Sequence, residues 1–207
     1  MNKMTVGVLG LQGDVEEHFS ATETALSRMG LEGGPSLVKT VEDARRIQSL
    51  IIPGGESTVM GGLSSVKGLF PTLRERIGQG MPTLGTCAGM IMLAKGAEDR
   101  VVGRMNQPLM GAIDIVVRRN SFGRQADSFE TAVNLGIPGG EEFPGVFIRA
   151  PAVKSVGPGV KELGRLGEDV IAVQQGKAVA TSFHPELSGS TLLHEYVIGL
   201  AAGPKQV

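Results

Sequence analysis

The stretch Gly85-Thr86-Cys87-Ala88-Gly89 holds the only cysteine of the chain. It has the form glycine, any residue, nucleophile, any residue, glycine, in which a sharp turn from a strand into a helix exposes the central side chain. The apolar stretches MPTL before it and MIMLA after it supply that strand and that helix. A helix N-terminus also favours the thiolate, the reactive form of a cysteine. The pattern predicts a nucleophile at Cys87; the alternative is a small buried apolar residue.

A cysteine nucleophile needs a base, and His184 is the best placed of the three histidines. It follows the apolar run AVATSF and precedes Pro185, which favours an extended backbone at His184. In an extended segment Glu186 would point to the same side as His184, at a Cα separation of about 6.5 Å. The spacing therefore predicts that Glu186 hydrogen-bonds the ring and orients it. For His-Pro-Glu alone, a plain turn is the alternative.

The other two histidines lie in predicted helices. We interpret His18, in the first helix, and His194, beside Glu195 in the last, as exposed or partly packed helical residues. One cysteine and three scattered histidines give no metal-ligand spacing. We therefore expect neither a metal site nor a cofactor.

Composition excludes several classes of protein. Hydrophobic residues make up 41% of the chain, charged residues 20%, and the mean hydropathy is +0.09, values typical of an ordinary globular protein. A net charge of -1 gives no electrostatic reason to expect nucleic acid. The apolar stretches are too short to span a membrane, and the first residues predict a strand and not a signal peptide. A single cysteine forms no internal disulfide, which favours a cytoplasmic location.

Strands and helices alternate in the first half of the sequence. The apolar run 5–11 predicts a buried parallel strand, and helical spacing predicts a helix over 15–29, with Asp14 and Glu17 as a capping box and Gly30 as its end. Further strands are predicted at 37–38, 50–52 and 82–85, and further helices at 42–48 and 67–77. This alternation is typical of a parallel sheet with helices on both faces.

The second half favours short strands separated by turns. Strands are predicted at 113–117, 131–135, 146–148, 170–173 and 178–183, followed by a helix over 191–200. The tetrapeptide PGGE occurs at 53–56 and at 138–141, and the second copy is interpreted as a surface turn. The expected fold is α/β, with a mostly parallel central sheet flanked by helices and a C-terminal antiparallel extension, in one domain over residues 1–207.

Several stretches, in order along the chain, resemble a known family. They are VGVLGLQGD, LIIPGGEST, GTCAGMIMLA, RRNSFGRQADSFE, GVFIRAP and SFHPEL, and they extend from Val6 to Leu187. GTCAG with a distant SFHPE looks like the Cys-His-Glu set of class I glutamine amidotransferases. The complete series resembles the glutaminase subunits of pyridoxal 5'-phosphate synthases. Departures fall mainly in presumed loops, and none touches Cys87, His184 or Glu186.

The resemblance implies an activity, a partner and a substrate pocket. Members hydrolyse L-glutamine to glutamate and pass the ammonia to a synthase subunit, with Cys87, His184 and Glu186 as the catalytic triad. The residues implied to bind glutamine are Gly55, Glu56, Ser57, Arg119, Ile148 and Arg149. In such a pocket a carboxylate could pair with the ammonium of glutamine and an arginine with its carboxylate. Arg118, Arg124 and Gln125 are interpreted as solvated or partner-contacting residues.

An oxyanion hole would complete the site. The elbow offers the N–H of Ala88, and the Gly54-Gly55 turn offers a second donor. Because glycine adopts either sign of φ, the Gly54-Gly55 peptide could present its carbonyl to the site until the synthase docks. We therefore expect the activity to depend on the partner.

Three other functions remain open from sequence. The first is a glutaminase that serves another synthase, such as that of histidine biosynthesis. The second is a stand-alone cysteine hydrolase or chaperone with the same elbow, which would have no use for the GGES and FIRAP stretches. The third is a non-catalytic regulatory subunit, which three intact triad positions disfavour.

Overall fold

The structure, a computed structural model, describes residues 3–99, 103–104, 106–119, 121–122 and 128–202. The helices in these ranges are α1 (Val15–Met29), α2 (Val41–Arg46), α3 (Ser57–Val66), α4 (Leu69–Gly78), α5 (Ala88–Leu93) and α6 (Leu192–Ala202). The first strands are β1 (Met4–Leu9), β2 (Gly33–Val38), β3 (Ser49–Ile52), β4 (Thr83–Thr86), β5 (Ala94–Asp99), β6 (Gly103–Arg104) and β7 (Ile113–Arg118). The later strands are β8 (Phe129–Val133), β9 (Phe143–Phe147), β10 (Ala152–Val156), β11 (Lys161–Leu166), β12 (Asp169–Gln175) and β13 (Ala178–Thr181).

Eleven strands form one sheet, in the order β2-β1-β3-β4-β13-β12-β10-β7-β5-β6, with β11 paired to β12. The five strands from β2 to β13 run parallel, and β12, β10 and β7 continue the sheet with antiparallel pairing. A mostly parallel half with an antiparallel extension is the fold class that the sequence predicts.

The parallel half of the sheet brings distant loops together. Parallel strands end at the same edge, so the residues that follow them meet there. The loop after β1 carries Asp14, the loop after β3 carries Gly54 and Gly55, β4 is followed by Cys87, and β13 is followed by His184. The topology thus gathers residues from four chain segments at one edge of the sheet.

Apolar residues of the strands alternate between two cores, one on each face of the sheet. In β3, Leu50 and Ile52 pack with α2, α3 and α4, while Ile51 between them packs with α1 and α6. All three are buried, which stabilises the fold by roughly 1.5–3 kcal/mol for each side chain. This two-sided burial explains why the strand reads as a continuous apolar run.

The sequence-based prediction differs from the structure at several elements. Strands β8 and β9 pair with each other in a separate two-stranded sheet, and among the described residues the runs 131–135 and 146–148 meet the main sheet only through an isolated bridge between Leu135 and Gly164 of β11. Four strands, β5, β6, β10 and β11, are not predicted from the sequence, and the helix predicted at 67–77 is preceded by a distinct helix, α3. Gly68, with φ of 67°, separates α3 from α4. The second PGGE is a turn closed by the Gly140 N–H donating to Ile137 O, as predicted. In the described part of the chain no helix is long and apolar enough to cross a membrane.

Candidate active site

Cys87 lies in a strained turn between β4 and α5. Its φ of 49° and ψ of -102° are outside the regions that a non-glycine residue ordinarily occupies. A Cβ added to Gly85 would lie 2.6 Å from Gly89 O, and one added to Gly89 would lie 2.1 Å from Ile52 O. Only glycines fit on both sides of the cysteine, and the elbow predicted from the sequence is confirmed.

His184 and Glu186 form the predicted pair, although by a different backbone path. His184 Nδ1 lies 2.7 Å from Glu186 Oε1. Residues Pro185–Leu187 form a 3-10 turn, so the extended segment predicted over Glu186 is wrong. The His184 N–H donates to Val146 O at 2.8 Å, which ties the histidine backbone to β9. With Nδ1 occupied, Nε2 is the ring nitrogen that remains for Cys87, whose charge raises the pKa of His184.

Asp14 is a second carboxylate on the same ring nitrogen. Its Oδ2 lies 3.2 Å from His184 Nδ1, and its side chain is 37% exposed whereas that of Glu186 is fully buried. The capping box predicted for Asp14 is wrong, because its side chain makes no capping hydrogen bond to α1. Asp14 instead belongs to the surroundings of His184, a role that the sequence did not reveal.

The electrostatics of the site favour a charged His184. Burial opposes protonation of its ring, but hydrogen bonds to Asp14, Cys87 and Glu186, together with the charge of Cys87, raise the pKa of His184 to about 12. Burial raises the pKa of Glu186, and the hydrogen bond from His184 opposes that rise. The hydrogen bond from His184 lowers the pKa of Asp14. An imidazolium next to the thiol stabilises a thiolate, the form that attacks an amide.

The other two histidines are buried, so their interpretation as exposed or partly packed residues is wrong. His18 and His194 are both 0% exposed. His18 Nδ1 lies 3.0 Å from His194 Nε2, and His18 Nε2 lies 3.3 Å from Glu186 Oε2. His18 shares the buried stripe of α1 with Thr22, Ala25 and Leu26, at helical spacing. This spacing in the sequence indicates that His18 faces the core.

The Gly54-Gly55 turn packs against both His184 and the loop after β1. A Cβ on Gly54 would lie 2.4 Å from His184 Cε1, and one on Gly13 would lie 1.7 Å from Gly54 O. The Gly54 carbonyl is therefore directed at the loop after β1, and the Gly55 N–H, in a trans peptide, points the opposite way. Gln12 Oε1 accepts the Glu56 N–H at 2.7 Å and fixes the next peptide.

A small cavity of about 30 Å³ lies beside Cys87. Its lining includes Gly55, Glu56, Ser57, Cys87, Ala88, Arg119 and Arg149. Glu56 Oε2 and Arg119 Nη2 lie 3.5 Å apart, so these two opposite charges pair with each other in this structure. Ser57 exchanges hydrogen bonds with Gln107, a residue that the sequence reasoning did not single out. The structure thus brings most of the expected substrate-binding residues around the thiol.

The segment carrying Ile148 and Arg149 is strained where it meets the cavity. Arg149 has φ of 46°, a left-handed conformation that costs a non-glycine residue roughly 1–3 kcal/mol. The Cys87 thiol donates to Ile148 O at 3.9 Å. Strain of this kind is typical of functional segments, because the surrounding fold must hold the residue in place.

Other parts of the molecule are less closely tied to Cys87. A larger cavity of about 450 Å³ lies along the loop after β1 and is lined by Gln12, Asp14 and Lys39 among others, but Cys87 does not line it. Arg118 is exposed and contacts Asp169 and Ser121, as expected of a solvated residue. Arg124 and Gln125 lie outside the described residues.

Three potential metal-ligand groups do meet in the fold. The ligand atoms of Asp14, His184 and Glu186 lie within 4.8 Å of one another. Because Asp14 is distant in sequence from His184 and Glu186, residue spacing alone could not predict this cluster. The hydrogen bond of His184 Nδ1 to Glu186 and its ion pair with Asp14 account for the cluster without an ion.

Fold and site together are those of a glutamine amidotransferase. A solved structure described as a glutamine amidotransferase superimposes with a TM-score of 0.81 at 43% identity, over 95% of this chain and 98% of the other. The sequence pattern of the SNO glutamine amidotransferase family matches residues 8–201, and the chain belongs to this family.

The names of curated relatives are more specific than the family name, because they specify the synthase to which the subunit belongs. The pyridoxal 5'-phosphate synthase subunit PdxT of Tropheryma whipplei is 48% identical over 198 residues, which are 95% of this chain and 98% of the relative. The subunit of the same name from Nitrosopumilus maritimus is 42% identical over 201 residues, which are 97% and 98% of the two chains. The resemblance seen in the sequence motifs is thereby confirmed.

Proposed function

We propose that this chain is the glutaminase subunit of a pyridoxal 5'-phosphate synthase. It hydrolyses L-glutamine to L-glutamate and supplies the ammonia to a synthase subunit for vitamin B6 biosynthesis in the cytoplasm. The main structural support is the elbow cysteine beside the His184–Glu186 pair. Relatives of the chain are named as subunits of that synthase. Those names favour this acceptor over the synthase of histidine biosynthesis.

Cys87 is the proposed nucleophile. Its thiolate attacks the side-chain amide carbon of glutamine, and His184 gives its Nε2 proton to the departing ammonia. A thioester then joins glutamate to Cys87. The neutral His184 takes a proton from water, the resulting hydroxide displaces the thiolate, and glutamate leaves. Glu186 holds Nδ1 throughout and stabilises the imidazolium.

The oxyanion of each tetrahedral intermediate requires fixed N–H donors. Ala88 begins α5, so its N–H lacks a partner within that helix and is the first proposed donor. The Gly54-Gly55 turn supplies the second. The position of Gly54 against His184 supports this assignment, because it places the turn beside the reacting groups.

Glutamine binding is assigned to the residues around the cavity. The proposed set is Gly55, Glu56, Ser57, Arg119, Ile148 and Arg149. Free glutamine carries both an ammonium and a carboxylate, and the cavity lining offers one carboxylate and two guanidinium groups. When glutamine enters, Glu56 and Arg119 must break their contact with each other and contact the substrate instead.

The test is ammonia release from L-glutamine by the full chain mixed with its cognate synthase subunit. We expect steady turnover, and we expect Cys87→Ala to abolish it while the unfolding temperature stays near that of wild type. His184→Asn should cost several orders of magnitude in rate, and Glu186→Gln less. Turnover by Cys87→Ala would refute the assignment of the nucleophile. No turnover by the wild-type complex would refute the function.

A further inference from the structure

Two buried histidines that the proposed reaction does not use lie directly behind Glu186. His18, on α1, and His194, on α6, join through His18 Nδ1 and His194 Nε2 at 3.0 Å. His18 Nε2 lies 3.3 Å from Glu186 Oε2 and 3.2 Å from Oγ1 of Thr86, the residue before the nucleophile. His18 thus connects His194, on α6, and Thr86, on β4, to the carboxylate that orients His184.

Both rings are neutral around neutral pH. Burial, together with the charges of His194 and His184, lowers the pKa of His18 well below 6.5. Burial lowers the pKa of His194 to about 4. A neutral imidazole has one N–H and one acceptor nitrogen, so two arrangements of protons are possible along this chain of contacts.

The two arrangements differ in what they leave unpaired. If His18 donated to His194, the Nδ1–H of His194 would be a buried donor without a partner, and the lone pair of His18 Nε2 would face the Glu186 carboxylate. A buried, unpaired donor costs about 1–3 kcal/mol. If His194 donates to His18, His18 Nε2–H faces Glu186 Oε2, and only an acceptor nitrogen of His194 stays unpaired. The second arrangement places each imidazole N–H on an acceptor, with Thr86 Oγ1 as a further acceptor beside His18 Nε2–H.

We propose that His18 and His194 are positioning residues that form a buried relay, in which His194 Nε2–H donates to His18 Nδ1 and His18 Nε2–H donates to Glu186 Oε2. Glu186 Oε2 is a buried oxygen without a hydrogen bond in the described part of the chain, and His18 Nε2 lies 3.3 Å from it, so the relay gives this oxygen the donor that it lacks. The relay fixes the carboxylate between two N–H donors and keeps it ionised in spite of its burial. This inference rests on the proposed roles of His184 and Glu186.

Several charged or titratable groups surround Glu186, and the test must separate them. His184 and Asp14 lie on one side, with Cys87 beyond His184, and His18 lies on the other, with His194 behind it. The Asp14→Asn background removes the second carboxylate. An acid transition of the His184 ring that persists when Cys87→Ala is added, and that is distinct from the transition of the His194 ring itself, then reports on Glu186.

The first measurement uses the full wild-type chain with isotope-labelled histidine and nitrogen NMR. The chain has three histidines, so single substitutions assign each ring. We expect His18 to be the neutral Nε2–H tautomer across the neutral range. The Nδ1–H tautomer, or a charged His18 ring, would overturn the relay.

The second measurement compares His18→Gln with His18→Asn, both in the Asp14→Asn background. The amide nitrogen of glutamine reaches the place of Nε2 and can still donate to Glu186, whereas that of asparagine reaches only the place of Nδ1. We expect the acid midpoint of the His184 nitrogen shifts to rise by about one pH unit in His18→Asn and to stay near that of the background in His18→Gln. Equal midpoints in the two variants would overturn the relay.

Neither NMR measurement requires glutamine turnover. Failure of the relay would leave ammonia release by the wild-type complex unaffected. Failure of the proposed function would leave the tautomer and the difference between the two variants in place. In an active complex, the acid limb of kcat/KM should shift upward in His18→Asn, by the same amount as the NMR midpoint. A purely structural role of His18 would lower the unfolding temperature without moving that limb.

Discussion

At the scale of single residues, the exposed Asp14 and the buried Glu186 share one nitrogen of His184. The hydrogen bond from His184 lowers the pKa of Asp14 below 3.8, so the charged carboxylate stabilises the folded state above that value. This stabilisation is lost as the pH falls through the lowered pKa. On the His184 side, the pKa raised to about 12 makes the imidazolium fully stabilising below 6.5, and this stabilisation declines above 6.5 and is lost as the pH rises through about 12.

Asp14→Asn should therefore destabilise the fold at neutral pH, and this effect should disappear as the pH falls through the lowered pKa of Asp14, below 3.8. Urea unfolding at neutral pH and at the acid end of this range measures the difference. Glu17→Gln is the matched control, because it removes the same charge at an exposed position one turn along α1. An equal loss of stability from Asp14→Asn at both pH values would show that the Asp14–His184 contact is not electrostatic.

The charges around the cavity provide a second residue-scale prediction. Arg149→Ala and Glu56→Ala each remove one proposed counter-charge for glutamine and leave Cys87 in place. A lost charge-assisted hydrogen bond costs about 1.5–3 kcal/mol, which corresponds to a rise in KM of roughly 10- to 100-fold. Steady-state kinetics of the complex measure the change, with Arg149→Lys as the control that keeps the charge. If KM stays unchanged in both alanine variants, these pairings are wrong.

The sequence predicts the proposed catalytic residues more readily than the residues that support them. Cys87, His184 and Glu186 stand in local patterns, a glycine-flanked elbow and a His-Pro-Glu run, which can be seen without the fold. Asp14 and His18 act on residues that are distant in sequence, so no local pattern connects them to the site. The helical spacing of His18 indicated that it was buried, but not that it faced Glu186.

At the scale of elements, the turn between β4 and α5 depends on close backbone contact. A Cβ on Gly89 would lie 2.1 Å from the Ile52 carbonyl oxygen of β3, and backbone in a central strand cannot easily move aside. We expect Gly89→Ala to destabilise the fold by about 1–3 kcal/mol, the cost of overpacking a core, and to slow alkylation of Cys87. Thermal unfolding and a thiol-alkylation assay measure the two effects.

Gly62→Ala is the matched control for this prediction. Gly62 lies in α3, and an added Cβ there meets nothing within 4 Å. Alanine is a better helix former than glycine, so this variant should be stabilised by up to about 1 kcal/mol. A Gly89→Ala variant as stable as Gly62→Ala would contradict the packing argument.

The elements that the sequence predicted best are those with an uninterrupted pattern. Strands β1 and β3 are buried on both faces and have nearly continuous apolar sequences, and α1 has a clear helical period and ends at Gly30. By contrast, β11 contains KELGRL, and only its pairing with β12 makes it a strand. The separate pairing of β8 with β9 also depends on contacts between distant segments, which cannot be predicted from the sequence of each strand alone.

At the scale of the whole molecule, the cavity beside Cys87 is too small for the proposed substrate. Its volume of about 30 Å³ is room for about two water molecules. Glu56 and Arg119 pair with each other, and glutamine would need both of these charges. Gln12 and Gly13, in the loop after β1, contact the Gly54-Gly55 turn and hold it in place. Binding of glutamine therefore requires a rearrangement of this edge of the sheet.

A synthase subunit that stabilises the rearranged state would raise the glutaminase rate, because only the population with an open cavity and a formed oxyanion hole reacts. We expect the isolated chain to be nearly idle and the complex to have a much higher kcat, with a smaller change in KM. The measurement is ammonia release at saturating glutamine, with and without the cognate synthase subunit.

Gly54→Val is unsuitable as a probe of the turn alone, because its side chain would displace the His184 ring as well. Alkylation of Cys87 in the isolated wild-type chain is the control, because a small reagent reaches a thiol that glutamine cannot. Equal turnover with and without the synthase would mean that the free chain already opens and forms its oxyanion hole, and the dependence on a partner would be wrong.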